Sequence, residues 1–142
     1  MKLAGQVANK TAQSNVFADY TSRKATNTIR AQNFDLAVFS SFLSTAGIPN
    51  VPNSSALQSA PAAWTGVTWG IVEAFVKWQL EEGYSVGSIN RCLSTVKSYA
   101  KLAAKAGIIG MQELALIKTV TGYSPREAKR IAIAHVLFNV AG

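Results

Sequence analysis

Apolar residues recur along this chain at spacings of three and four, and glycine or proline breaks the series at intervals. The clearest stretch runs from Thr28 to Leu43. At 100° per residue Ile29, Leu36, Val38, Phe39, Phe42 and Leu43 share one broad face, while Arg30, Asn33, Ala37, Ser40 and Ser41 lie opposite. Gly47 and Pro49 end that helix. An earlier segment, from Leu3 to about Tyr20, has a weaker period that offers Leu3, Val7, Val16, Phe17 and Tyr20 to a core. The stretch 44–65 is rich in Pro, Ser, Ala and Asn, with Pro49, Pro52 and Pro61 against long regular structure, and reads as an insertion-like, mobile loop.

Thr68 stands where an N-cap belongs, and Ile71, Val72, Phe75, Val76, Trp78 and Leu80 follow in a helix predicted over 69–82 that Gly83 closes. The next helix starts near Ser85 or Ser88 and runs to Lys105, before Gly107. A shorter one begins at Met111 or Gln112 and ends near Val120. Ser124-Pro125-Arg126-Glu127 supplies an N-cap, a proline at N1 and an acidic first turn for one more. With no strand pattern and no internal repeat, the expected fold class is all-α.

Composition narrows the class. A chain of 142 residues with 49% apolar and 15% charged residues is a globular domain rather than a disordered tail. The apolar stretch Ile131 to Ala141 is interrupted by His135 and Asn139, and is shorter than the roughly 20 residues a membrane helix needs. The first nine residues do not read as a signal peptide. One cysteine, Cys92, excludes an intramolecular disulfide framework and a CxxC zinc site. These features lead us to expect a cytoplasmic protein without membrane association, metal or cofactor. Fourteen Lys and Arg against seven Asp and Glu leave +7, which makes a polyanion the first partner to consider and solubility the plain alternative.

The helix over 88–105 concentrates that charge. Ile89, Cys92, Leu93, Val96, Tyr99, Ala100 and Ala103 fall in one arc, and Arg91, Ser94, Thr95, Lys97, Ser98, Lys101 and Lys105 in the other. No carboxylate occurs between Glu82 and Glu113. Solvated helix faces usually mix both signs and gain i,i+4 pairs. A face of cations separated by hydroxyls suits phosphate contacts and groove entry instead.

Two stretches resemble a known family. Residues 27–43, with Thr28, Asp35-Leu36, Phe39 and Phe42, are similar to the opening helix of the core-binding domain of tyrosine recombinases, the phage-integrase family; Gln32 stands where that family usually has an aromatic. Residues 83–99, Gly-Tyr-Ser-Val-Gly-Ser-Ile-Asn-Arg-Cys-Leu-Ser-Thr-Val-Lys-Ser-Tyr, resemble its "Gly-x-Ser-x-x-Thr-Ile-x-x-x-Leu-Ser-x-Ile-Arg" stretch, with Ser88 in place of Thr. The resemblance implies a SAM-like, lambda-integrase-like orthogonal bundle of four to five helices forming half of a C-shaped clamp on duplex DNA. Residues 1–125 would be that core-binding domain, and 126–142 a C-terminal helix or linker toward an absent catalytic domain. It implies a prokaryotic, phage or mobile-element setting close to the nucleoid. It places Arg30 and Asn33 on one helix, and Ser88, Arg91 and Thr95 on the other, at the major groove, where Arg pairs with guanine and Asn with adenine. Thr28, Lys97, Ser98 and Lys101 are then expected on phosphates, with Arg23 and Lys24 steering the helix start onto one.

The family's strand-cleaving chemistry lies in a separate domain, and its residue pattern is missing from this chain. His135 is followed by Val136, Leu137 and Phe138 rather than the arginine of a His-x-x-Arg element, and Tyr20, Tyr84, Tyr99 and Tyr123 lack a matching constellation. Glu81 and Glu82 are adjacent, so on a helix they diverge by about 100° and cannot share a substrate. Cys92 falls on the core face as an inert thiol, and Trp64, Trp69 and Trp78 read as core anchors rather than base-stacking groups. The chain is therefore not expected to be an enzyme by itself or to take a small-molecule substrate. The main rival is a helical protein-interaction module with a basic surface. The apolar run 131–138 either folds back on the bundle or docks on a neighbouring protomer, giving self-association. Replacing Arg91 and Lys101 together by Ala is expected to weaken DNA binding and leave the fold intact.

Overall fold

The computed structural model describes residues 2–141, with side chains as far as Ala134. Among these residues the secondary structure is helical throughout: α1 (Lys2–Arg23), α2 (Thr26–Thr45), α3 (Ser54–Ser59), a 3-10 turn (Pro61–Trp64), α4 (Trp69–Glu81), α5 (Val86–Lys105), α6 (Met111–Thr119) and α7 (Pro125–Ala141). The all-α expectation holds among these residues, with seven α-helices where the sequence pattern marks six and the resemblance implies a bundle of four or five; the addition is α3.

The helix ends follow from local chemistry. Thr68 Oγ1 accepts the Ile71 amide at 3.3 Å, and Ser85 Oγ accepts the Ser88 amide at 3.1 Å, so both hydroxyls satisfy first-turn donors. Ser124 and Glu127 form a reciprocal box: the Glu127 amide donates to Ser124 Oγ at 3.1 Å and the Ser124 amide to Glu127 Oε1 at 3.2 Å. Past the ends of α4 and α5 the chain reverses through Gly83 and Gly107, at φ of 87° and 83°, a left-handed conformation in which a side chain is strained.

Helix α5 is the central column. Ile89, Cys92, Leu93, Val96, Tyr99, Ala100 and Ala103 are all buried, as their periodicity predicts, against α1, α2, α4, α6 and the 3-10 turn. Tyr99 is a hub. Its ring lies 6.1 Å from Phe17, 5.4 Å from Tyr20 and 6.4 Å from Trp64, and its hydroxyl donates to Gln32 Oε1 at 2.9 Å while accepting from Gln58 Nε2 at 3.2 Å. Phe39, Phe42, Phe75 and Trp78 extend the aromatic core between α2 and α4.

Three expectations are corrected. The stretch 44–65 is not a mobile loop; it forms a wall of the core. Asn53 Oδ1 caps α3 by accepting the Ala56 amide at 2.8 Å, and Pro61 opens the 3-10 turn, so the prolines and polar residues bound short elements rather than abolish them. Leu57 and Trp64 are fully buried, and Trp64 Nε1 donates to the Leu57 carbonyl at 2.8 Å. Trp69 is no core anchor, at 41% exposed, whereas half-buried Trp78 does pack against the core. Leu3 and Val7 are exposed, because residues 2–15 of α1 lie off the core and only Val16, Phe17 and Tyr20 reach it.

Candidate nucleic-acid interface

The fold sorts the charges. Helices α1, α2 and α5, with the Lys24 link, carry nine cations (Lys2, Lys10, Arg23, Lys24, Arg30, Arg91, Lys97, Lys101, Lys105) against two carboxylates, Asp19 and Asp35. In the rest of the chain five cations meet five carboxylates and cancel. The entire net charge of +7 therefore sits in this sector, on α1, Lys24 and α5, since Arg30 and Asp35 leave α2 neutral, and α1 and α2 both pack on α5. The exposed side of α5 presents Arg91, Ser94, Lys101 and Lys105, with half-buried Ser98 among them. From Arg91 to Lys105 this lane runs about 21 Å at 1.5 Å per residue. Beyond Lys105 it meets Arg23 and Lys24 across a cleft between α1 and α5 that is floored by Val16, Tyr20 and Leu102 and carries Asp19. The Lys24 ammonium stands 5.1 Å over the Tyr20 ring, a cation–π contact that holds it at the cleft edge.

The site residues named from sequence fall into two groups. Arg23, Lys24, Thr28, Arg30, Arg91 and Lys101 are exposed. Thr28 lies on the side of α2 that bears Asp35, whereas Arg30, five residues before Asp35, is turned about 140° from it and away from the α5 lane. The others are engaged within the protein. Asn33 Nδ2 donates to Gln58 Oε1 at 2.9 Å and Asn33 Oδ1 accepts from Ser54 Oγ at 3.2 Å, so its amide edge is occupied by α3. Thr95, expected on the polar face, is buried at 5% exposed and donates to Asp35 Oδ2 at 2.7 Å. Ser88 Oγ accepts from Ser85 Oγ at 3.0 Å, Ser98 Oγ donates to the Ser94 carbonyl, and Lys97 Nζ donates to the Lys118 carbonyl at 3.1 Å.

Asp35 is the residue that sequence reasoning passed over, except as part of a motif. It is 1% exposed and lies on the apolar arc of α2 between Phe42 and Phe39, where a carboxylate requires partners. All of them come from α5: Arg91 Nε–H donates to Oδ1 at 3.0 Å, Thr95 to Oδ2, and the Cys92 thiol to Oδ1 at 3.6 Å. The α5 cation face is thus not free of counter-charge, since α2 supplies one. Hydrogen bonding and the charge of Asp35 push the Arg91 guanidinium further up, so it is permanently charged. Burial, reinforced by Asp35, pushes the Cys92 thiol up to about 11 and leaves it un-ionised at neutral pH, an inert core thiol. The Tyr99 phenol is also raised, mainly by burial. Glu81 and Glu82 are exposed at the end of α4, and His135 lies outside the residues whose side chains are described.

No cluster of three or more His, Cys, Asp or Glu side chains able to hold a metal occurs among the described residues, and no helix among them is long and apolar enough to cross a membrane. Comparison with protein-family models, curated proteins and solved structures finds no match to this chain.

Proposed function

We propose that this chain binds duplex DNA through the α1–α2–α5 sector, as the core-binding domain of a tyrosine recombinase or integrase. In this reading residues 1–125 form a lambda-integrase-like orthogonal bundle that clamps DNA, and 126–142 lead toward the domain that breaks and rejoins strands. The observation that carries the reading is the segregation of the whole net charge onto α1, α5 and the Lys24 link, with an α5 lane of cations and hydroxyls on the outside. A domain charged only for solubility gains nothing from such sorting, whereas a polyanion does. The two stretches that resemble the family also meet: Asp35 of the first is held by Arg91 and Thr95 of the second.

Titrating the protein into a fluorescently labelled duplex, with anisotropy read at several salt concentrations, tests this. Modest affinity whose logarithm falls with log salt at a slope of about 0.9 per neutralised phosphate supports the reading. Absence of binding at low salt rejects it. The second reading, a protein-interaction module, rests on the exposed Leu3 and Val7 of α1 and Ile131 and Ile133 of α7. Its mark is salt-insensitive self-association in sedimentation equilibrium without DNA affinity.

A further inference from the structure

Among the cations of the α1–α2–α5 sector, Arg91 alone forms an ion pair with a carboxylate among the described residues. Its Nε–H is fixed on Asp35 Oδ1 at 3.0 Å, and the Asp35 carboxylate is held from its other sides by Thr95 and Cys92 of the same helix. The side chains are 54% and 2% exposed, so the pair has a buried half and an open half. Neither Nη group of Arg91 has a protein partner among the described residues, so the end of the guanidinium fork is free on the open side.

That arrangement discriminates between two kinds of acceptor. A phosphate is drawn by charge, and the Asp35 carboxylate cancels much of the field that Arg91 offers at a distance. Lys101, with no carboxylate partner, keeps its full charge for that purpose. The O6 and N7 of guanine are neutral acceptors side by side in the major groove, and two parallel N–H donors held in one plane match them. A guanidinium anchored through Nε before binding offers that match with little left to order.

Resting on the DNA-binding reading above, we propose that Arg91 is the guanine-reading residue of this surface. Asp35 is its positioning residue: it never meets DNA and acts by fixing the plane of the fork.

The test uses a pool of labelled duplexes with a randomised central segment, incubated with the wild-type chain and with Arg91→Lys, Asp35→Asn and Lys101→Ala, followed by sequencing of the retained fraction. Wild type is expected to enrich guanine at one position by about ten-fold, the discrimination of one bidentate pair. Arg91→Lys and Asp35→Asn should retain the pool but lose that enrichment, while Lys101→Ala should retain less DNA and keep it. Replacing the selected guanine by 7-deazaguanine, which lacks the N7 acceptor, should weaken wild type and leave Arg91→Lys unchanged. Thermal melts accompany each variant. Arg91→Lys keeps a cation beside Asp35, so it reports on the fork even where Asp35→Asn unfolds. A folded Arg91→Lys with the wild-type preference shows an ion pair of purely structural use and overturns the proposal. Retention of the pool without an Arg91-dependent guanine preference overturns it and leaves DNA binding standing. No retention of any duplex at low salt overturns both.

Discussion

Replacing Trp64 with Ala tests whether the stretch between α2 and α4 is part of the core. Trp64 is fully buried, its ring lies 5.8 Å from Phe39 and 6.4 Å from Tyr99, and its Nε1 donates to the Leu57 carbonyl at 2.8 Å. Truncating a buried tryptophan costs about 3–5 kcal/mol in lost transfer energy and residual cavity. The Leu57 carbonyl loses its indole donor, which adds about 1 kcal/mol. The sum, about 4–6 kcal/mol, is a large share of the 5–15 kcal/mol that typically separates folded from unfolded states. Urea unfolding followed by far-UV circular dichroism suits the assay, because the substitution removes one of the three tryptophans that fluorescence would report. With an m-value of about 2 kcal/mol/M, the midpoint should fall by about 2 M or more. A fall below about 0.5 M at unchanged m would refute the reasoning, since it is what a mobile loop predicts.

The paired Asp35 changes the expectation for Arg91. Arg91→Ala strands a buried carboxylate with two weaker donors, and because the guanidinium is half exposed the cost is about 1–2 kcal/mol rather than the 3–5 of a fully buried pair; thermal melts check it. The Arg91 and Lys101 double alanine variant is therefore destabilised, and the loss should follow Arg91 alone. Cys92 should resist a disulfide reagent at pH 8 until the protein unfolds. Its raised pKa also means that the folded state holds the thiol proton more tightly, so its contribution to stability is complete below about 9 and is lost as pH rises toward about 11, a decline that Cys92→Ala removes. Gly122→Ala places a methyl group onto the Asn90 side chain, which is clamped by the Tyr123 amide and carbonyl at 3.1 Å each. Melting should show a loss of about 1–3 kcal/mol, with the connection before α7 the first to gain amide exchange.

The elements most legible in sequence are those whose signals are local. The boundaries of α4 and α5 follow from Thr68, Ser85, Gly83 and Gly107, each acting within one turn of its own helix. Every residue of the apolar arc read for α5 is buried because that helix meets neighbours along its whole length, and burial extends past the arc to Thr95, Leu102 and Ala104. What escaped depends on partners distant in the chain. Leu57 and Trp64 sit among prolines and serines, and only the packing of α3 and the 3-10 turn on Phe39 and Tyr99 shows that the segment closes the core. Leu3 and Val7 follow a helical period yet have nothing to pack on. The candidate interface was half legible. Its cations stand in the sequence, but their sorting onto three helices emerges only when α1 and α2 pack on α5. Asp35 removes Thr95 from the exposed face and engages Arg91 across a separation of 56 residues, beyond the reach of any helical wheel.

The central claim is that DNA is held by the α1–α2–α5 sector rather than by positive charge at large. The direct measurement compares the salt dependence of duplex binding for the wild type, for Lys101→Ala with Lys105→Ala on α5, and for Lys77→Ala with Lys118→Ala on α4 and α6, where carboxylates outnumber cations, all by anisotropy on one labelled duplex. Each pair removes the same net charge. Loss of two phosphate contacts should lower the log–log slope by about 1.8 for the α5 pair and leave the α4–α6 pair at the wild-type slope. Equal losses in the two pairs, or no binding by the wild type at low salt, would contradict the account.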